Sequence, residues 1–298
     1  MGSRFEITVV APNTEMGYIN IEEAAAEIKR IEKMISSWDS HSQTSQINTS
    51  AGLEPVKVSP ELFALVERCL RISQVTDGAF DISYASMDRI WKFDGSMQHL
   101  PTKKEVEESI SRIGYQNIVL DKEQQTVFLK KKGMRIGFGA IGKGYAADKA
   151  KSLLISKGVK SGIINASGDL TTWGTKLNGD KWMVGIANPL RKDKVFSWLP
   201  IVESSVATSG SYEKYVELNG KKYSHIIDPR TGYPVSGIQS VSVFAKEAEM
   251  CDALATAVFI MGRETGIGLI EQLGGVEVIV VDDNNKIHKS KGITFQSY

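Results

Sequence analysis

A glycine-rich segment, residues 137–148, places a lysine just ahead of a predicted helix. It reads Gly-Phe-Gly-Ala-Ile-Gly-Lys-Gly-Tyr-Ala-Ala-Asp. Glycines at a helix start let backbone N–H groups face an anion, and the helix dipole favours negative charge there. Lys143 would add a point charge for phosphate. The spacing is not that of a Walker A loop, because Gly144 stands where serine or threonine is required. The segment therefore predicts either an anion-binding turn or a packed corner between a strand and a helix.

A second segment, residues 224–234, places a histidine beside strong turn chemistry. It reads Ser-His-Ile-Ile-Asp-Pro-Arg-Thr-Gly-Tyr-Pro. Proline fixes φ and glycine accepts positive φ, so the stretch from Asp228 to Gly232 predicts a tight loop. Such a loop can simply join two strands, or it can present the imidazole of His225 as an acid or base near neutral pH.

Three further segments carry oxygen-bearing side chains. Asp252 and Thr256 are four residues apart in a predicted helix, so they share one face. They could hold a hard cation such as Mg²⁺, or form a plain polar helix edge. Residues 76–81, Thr-Asp-Gly-Ala-Phe-Asp, fit a turn that could clasp a ribose or a base edge. Residues 206–212 carry small hydroxyl side chains after a predicted strand, and they could either donate hydrogen bonds to phosphate or form a plain surface loop.

The elements that must position these segments mix helices and strands without strict βαβ alternation. Helical periodicity predicts helices over residues 21–35, 60–75, 101–114, 145–157, 247–261 and 264–273. Strands are predicted over residues 4–10, 117–121, 126–130, 162–165, 181–186, 196–202, 223–227 and 240–244, with a final pair at the end of the chain. Residues 36–50 predict a long polar loop. This pattern predicts an α+β fold with a mixed, mostly antiparallel sheet and flanking helices.

The length and the charge balance of the chain disfavour some classes of protein. The 298 residues suffice for one large domain or two interlocked lobes, and we expect residues 1–298 to form a single domain, since no linker divides them. Lysine and arginine total 36 against 35 aspartates and glutamates, which disfavours a nucleic-acid binder. No apolar run approaches the roughly 20 residues that span a bilayer, and no signal-peptide pattern follows Met1. Cys69 and Cys251 lie in apolar stretches and predict small buried side chains.

The order of these motifs along the chain resembles the ApbE family, the FAD:protein FMN transferases. The motifs that carry the likeness are Met1 to Ser3, Ser45 to Asn48, Asp77 to Asp81, Lys143 to Asp148, Ser167 to Asp169, Thr208 to Gly210, His225 to Gly232 and Asp252 to Thr256. They cover nearly the whole chain. The resemblance implies an ApbE-like fold in which an FAD cleft lies between two interlocked lobes.

The resemblance also implies an activity. Family members bind FAD and Mg²⁺, attach FMN through a phosphoester bond to a threonine of a target protein, and release AMP. Targets include electron-transfer flavoprotein subunits. Two alternatives stay open, namely an FAD pyrophosphatase with water as acceptor and a non-catalytic FAD-binding protein. No nucleic-acid partner is expected.

Site residues follow from the resemblance, position by position. The expected Mg²⁺ ligands are Asp252, Thr256 and the backbone carbonyl at Ala140. The expected FAD contacts are Met1, Trp38, Ala79, Phe80, Asp81 and Lys143, with Thr208, Ser209 and His225 lining the same cleft. His225 is the expected base for the acceptor threonine, with Asp252 as the alternative. Gly137 stands where many members have aspartate, and Trp38 where some have tyrosine.

The resemblance implies a location in the cell envelope, on the periplasmic or extracytoplasmic face of the inner membrane. Many family members are lipoproteins, and any lipid anchor would lie outside this sequence. A cytoplasmic location is the alternative expectation.

Overall fold

The computed structural model describes residues 2–188, 191–201, 203–212, 214–218 and 220–294. In these ranges the α-helices are α1 (Thr14–Ile35), α2 (Gln43–Thr49), α3 (Pro60–Val75), α4 (Lys103–Ile110), α5 (Gly142–Ser156), α6 (Ala248–Met261) and α7 (Arg263–Ile270). The strands are β1 (Phe5–Val9), β2 (Val56–Lys57), β3 (Ile118–Asp121), β4 (Thr126–Leu129), β5 (Gly162–Ala166), β6 (Asp169–Trp173), β7 (Trp182–Asn188), β8 (Arg191–Ile201), β9 (Ser205–Gly210), β10 (Tyr215–Leu218), β11 (Lys221–Ser224), β12 (Ile238–Ala245), β13 (Glu277–Asp282) and β14 (Ile287–Lys289). Short 3-10 helices cover Ile82–Ser86 and Tyr115–Asn117.

A seven-stranded antiparallel sheet lies at the centre of the fold, in the order β1-β5-β6-β9-β12-β13-β14. Helices α5 and α6 pack on it and on each other. Helix α6 is buried nearly all round, as expected of a helix that runs through the core. The remaining strands form the sheet β2-β4-β3 and the hairpins β7-β8 and β10-β11. This mixture of helices and antiparallel strands confirms the predicted α+β fold.

Helix boundaries follow the capping residues. Helix α3 spans the predicted residues 60–75, because the Ser59 side chain accepts the Leu62 N–H and Pro60 occupies the first turn. Helix α1 begins before the predicted residue 21, at Thr14, because Asn13 caps it by accepting the Met16 N–H at 2.9 Å. The large apolar residues in the first two turns of α1 (Met16, Tyr18 and Ile19) are exposed, so they do not mark a buried helix face by which periodicity could locate this start.

Two sequence-based assignments are wrong. The predicted loop at residues 36–50 contains helix α2, which Ser42 caps and which buries only Thr44 and Ile47. The predicted loop at residues 206–212 is largely strand β9, which lies between β6 and β12 in the central sheet. Hydroxyl residues make poor strand signals, but here they hydrogen-bond within the sheet and to the neighbouring helix.

The remaining predictions concern the residues at segment ends, the domain organisation, membrane-spanning helices and the two cysteines. Met1 and Val202, each part of a predicted segment, lie outside the described residues. That residues 1–298 form one domain stays a prediction. Among the described helices, none is both long and apolar enough to cross a membrane. Cys69 and Cys251 are buried free thiols, as their apolar surroundings predict.

Candidate functional site

One cavity of about 640 Å³ collects the polar segments that the sequence singled out. Strand β9, the first turn of α5 and one face of α6 contribute to its wall, together with the segment after α1 and the loop after β11. The predicted site residues that line it are Trp38, Ala79, Phe80, Asp81, Ala140, Lys143, Thr208, Ser209, His225, Asp252 and Thr256. Met1 cannot be placed, since it lies outside the described residues.

The first two turns of α5 and α6 pack side by side next to the cavity and are joined by hydrogen bonds. The Gly144 N–H donates to Asp252 Oδ2 at 3.2 Å. In return, the Asp148 carboxylate accepts the N–H groups of Ala248 at 3.0 Å and Glu249 at 2.8 Å. Only glycine fits at position 144, because a Cβ there would lie 2.2 Å from the Ala248 carbonyl oxygen. Each carboxylate therefore caps the other helix and offsets the positive ends of two converging dipoles.

Burial also acts on the Asp148 cap. Desolvation raises the pKa of Asp148 to about 6, even though two backbone N–H groups favour the ionised form. The ordinary value for an aspartate is near 3.8. This carboxylate is thus held in the junction for its hydrogen bonds, at an electrostatic cost to the folded state.

A charge cluster lies where the two helices meet. The Lys143 ammonium donates to Asp169 Oδ2 and, at 3.2 Å, to Asp252 Oδ1. Burial alone would lower the pKa of Lys143, but the two carboxylates outweigh it and raise that pKa. Burial and the nearby Asp252 carboxylate raise the pKa of Asp169. The cluster carries a net negative charge, and would attract an added cation, only when Asp169 is ionised as well as Asp252 and Lys143.

Hydroxyl groups extend the polar wall from the cluster. Thr256 follows Asp252 by one helical turn, and its Oγ1 lies 3.3 Å from the Ser209 Oγ of β9. The Thr208 Oγ1 is paired with the Ser242 Oγ of β12 at 2.8 Å. Ser209 and Thr256 therefore offer adjoining oxygens to the cavity, whereas the Thr208 hydroxyl is engaged within the sheet.

The donor set fits a hard divalent cation. A carboxylate from Asp252, a hydroxyl from Thr256 and a backbone carbonyl from Ala140 are all oxygen donors, which Mg²⁺ prefers. All three residues line the same cavity, which Lys143 and Asp169 also line. Within the described ranges, no three His, Cys, Asp or Glu side chains converge as a metal cage would require. An ion here would thus complete its coordination with water and ligand oxygens, as Mg²⁺ commonly does.

Asp81 lines the cavity, but both of its carboxylate oxygens already accept hydrogen bonds from the protein. Oδ1 accepts the Ser83 N–H at 2.7 Å and the Ser83 Oγ–H at 2.6 Å, and Oδ2 accepts the Tyr115 N–H at 2.8 Å. Burial nevertheless raises the pKa of this carboxyl. Asp81 therefore shapes the cavity by capping the 3-10 helix and holding the Tyr115 backbone, and its side-chain oxygens are already engaged.

The imidazole of His225 enters the cavity in a defined orientation. Its Nδ1 lies 3.0 Å from the Lys214 carbonyl oxygen, and the edge of Phe93 packs against the ring at a centroid distance of 6.5 Å. A carbonyl oxygen can only accept, so Nδ1 carries the proton in the neutral ring and Nε2 keeps the lone pair. In this tautomer Nε2 can accept a proton, as a general base must.

Hydrogen bonds fix the conformation of the loop that follows His225. Asp228 O accepts the Gly232 N–H at 2.8 Å, and Gly232 has a φ of +75°. The Trp91 Nε1–H donates to the Gly232 carbonyl at 2.9 Å. The predicted tight loop is therefore present, and a buried indole fixes it beneath the cavity.

Sequence reasoning gave no role to Asp169 or to Tyr84, which both line the cavity. Asp169 belongs to a quoted motif, but only the fold shows that it shares the ammonium of Lys143 with Asp252. Tyr84 lines the cavity, and burial raises its pKa to about 12. The only sequence signal for Asp169 is the turn glycine before it, and no motif marks Tyr84.

Comparison with known proteins agrees with this architecture. A sequence profile of the ApbE family matches residues 1–280. A protein of Klebsiella pneumoniae named FAD:protein FMN transferase is 32% identical over 262 residues, which cover 87% of this chain and 81% of that protein. A protein of the same name from Treponema pallidum is 31% identical over 289 residues, covering 92% of this chain and 80% of that protein. The crystal structure of the ApbE protein from Thermotoga maritima matches with a TM-score of 0.88 at 32% identity, covering 97% of this chain and 94% of that one. The chain therefore belongs to the ApbE family.

Proposed function

We propose that this chain is a Mg²⁺-dependent FAD:protein FMN transferase that links FMN to a threonine of a target protein and releases AMP. The observation that carries the proposal is the cluster of Lys143, Asp169 and Asp252 at the N-terminus of α5, in one cavity with His225. This arrangement suits a doubly charged diphosphate with a cation beside it. The names of the relatives support the same reaction.

The diphosphate of FAD would lie against the start of α5. The N-cap residue of this helix, Ile141, provides no side-chain cap, and Gly142 and Lys143 of the first turn line the cavity. The Gly142 N–H donates to the Phe138 carbonyl and the Gly144 N–H to Asp252, so the helix would attract phosphate oxygens mainly through the positive end of its dipole. The Lys143 ammonium, held on its inner side by two carboxylates, adds a fixed positive charge.

Asp252, Thr256 and the Ala140 carbonyl would hold the Mg²⁺. When bound, the ion supplies positive charge that polarises the phosphate linkage. The residues of the chain must align the acceptor hydroxyl with the phosphorus and remove the proton of that hydroxyl.

His225 would accept the proton of the acceptor hydroxyl. The threonine Oγ forms a new bond to the phosphorus of the FMN half, and the bond from this phosphorus to the bridging oxygen breaks. AMP leaves with the bridging oxygen and its electron pair. The proton of the hydroxyl moves to Nε2 of His225, whose Nδ1–H is held by the Lys214 carbonyl.

The test is incubation of the purified protein with FAD, Mg²⁺ and a peptide that contains an acceptor threonine. We expect mass spectrometry to show FMN on the peptide and one AMP released for each FMN attached. A peptide with valine at the acceptor position is the control. Release of AMP at the same rate without any peptide would identify a pyrophosphatase instead, and retention of FAD without any AMP would identify a binding protein.

We also propose that the protein acts in the cell envelope on an electron-transfer flavoprotein subunit. This proposal rests on the resemblance alone. Fractionation of source cells, with an antibody against the chain, tests the location, and the flavinylated proteins lost when the gene is deleted identify the target. Recovery of the protein only from cytoplasm would contradict the proposed location.

A further inference from the structure

An arginine and a tryptophan from different loops stack at the edge of the cavity. The Arg89 guanidinium carbon lies 5.3 Å from the centroid of the Trp38 ring. Trp38 lines the cavity although its side chain is 82% exposed, whereas Arg89 is outside the cavity wall. An indole has two faces, so an arginine on one face leaves the other for a ligand.

The backbone on either side of this pair is fixed. The Ser36 hydroxyl accepts the Trp38 N–H at 3.2 Å and anchors the turn after α1. The Asp88 N–H donates to Ser109 Oγ at 3.0 Å, and the Asp88 carboxylate is paired with Arg112 at 2.7 Å. What remains adjustable is therefore the indole itself, which can turn about its side-chain bonds.

The indole ring is the partner of the Arg89 guanidinium. Within the ranges that the structure describes, no carboxylate lies within salt-bridge distance of this guanidinium, and no hydrogen bond to it is found. Arg112 and Arg230, by contrast, each engage an aspartate. An arginine over an aromatic face is attracted by the ring quadrupole, and the contact orients both groups.

We propose that Arg89 is a positioning residue, which holds the Trp38 indole so that its second face receives a planar ring of FAD. The inference rests on the proposed function in taking FAD as the ligand. An exposed indole must otherwise lose rotational freedom when it binds, and fixing it beforehand reduces that cost. The flavin and the adenine of FAD are both planar and aromatic, so either ring could stack on the indole. An experiment must show which of the two rings does so.

The first test is the FAD affinity of Arg89→Met, which keeps the chain length and removes the cation. We expect affinity to fall about two- to five-fold, the range of a cation–π contact at an exposed site, with kcat for FMN transfer unchanged. Arg89→Lys should restore part of the loss. Lys92→Met is the matched control, because it removes an exposed charge from the same loop and should leave affinity unchanged.

A double-mutant cycle with Trp38→Ala decides between the outcomes. The proposal requires that Arg89→Met has no further effect once Trp38 is gone. An undiminished loss in that background would show that Arg89 binds FAD directly, and would overturn the positioning role. Loss of kcat with unchanged affinity would overturn it as well.

Separate titrations with FMN and with AMP identify the ring. Coupling between Arg89 and Trp38 for either ligand supports the proposal, and its absence for both overturns it. Because affinity is measured without an acceptor, a protein that binds FAD but transfers no FMN would contradict the proposed function and still allow this test.

Discussion

Replacement of Gly144 by alanine probes the junction on which the site depends. The added Cβ would lie 2.2 Å from the Ala248 carbonyl oxygen, 2.5 Å from its carbon and 2.8 Å from the Glu249 nitrogen. All three atoms belong to backbone, so no side chain can turn away. The start of α5 must retreat from α6 by about 1.2 Å to reach ordinary contact at 3.4 Å.

Two effects of this retreat differ in size. Overpacking costs about 1–3 kcal/mol of folding free energy, and the better helix propensity of alanine returns up to about 1 kcal/mol. The protein should therefore stay folded. The same shift moves Lys143 and the Gly144 N–H away from Asp252, and a misplacement of about 1 Å can cost about 10²-fold in rate. Gly144→Ala should thus lower FMN transfer far more than stability.

The assay compares the rate of FMN transfer with the melting temperature of each variant. Gly268→Ala is the matched control, since Gly268 also lies in a helix and a Cβ there would meet no heavy atom within 4 Å beyond its own helical turn. We expect this control to keep full activity and to melt slightly higher. Wild-type transfer by Gly144→Ala, at an unchanged melting temperature, would refute the idea that close contact of the two helices sets the site.

Three further changes test the assignments. His225→Gln should lower FMN transfer by about 10²–10⁴-fold while FAD still binds, because it removes the proton acceptor; single-turnover rates check this, and unchanged rates would remove His225 from the mechanism. Asp252→Asn should abolish the dependence of transfer on Mg²⁺, and a normal Mg²⁺ titration would contradict the metal site. Hydrogen bonds from Arg30 lower the pKa of Glu61 from 4.5 to about 2. The ionised Glu61 therefore stabilises the fold above pH 4.5, and this contribution is lost as the pH falls towards 2. Glu61→Gln should melt lower at neutral pH, with a difference that shrinks over that range; a difference independent of pH would contradict the argument.

Local signals predicted the elements that have clear punctuation. Helix α3 could be placed to the residue because Ser59 and Pro60 mark its start, and the hairpin β3-β4 because polar residues separate two apolar runs. Helix α2 could not, since its seven residues bury only two side chains and its cap lies in a polar stretch. Strand β9 was missed because its hydroxyl groups are satisfied by partners that only the tertiary structure supplies.

The candidate site shows the same division. The pairing of Asp252 with Thr256 follows from helix geometry, and the structure places both on the cavity wall. The partnership of Lys143 with Asp169 could not be read from the sequence, because it depends on β6 lying beside the start of α5. The commitment of Asp81 to Ser83 and Tyr115 is likewise a tertiary effect, which composition and spacing do not encode.

The mutual capping of α5 and α6 has a consequence for biosynthesis. The partners of Asp148 lie 100 and 101 positions further along the chain. A folding polypeptide therefore carries an unfinished nucleotide site until α6 has packed against α5. Since a ligand stabilises only the state that binds it, flavin supply would act on the yield of completed molecules and leave the early steps of folding untouched.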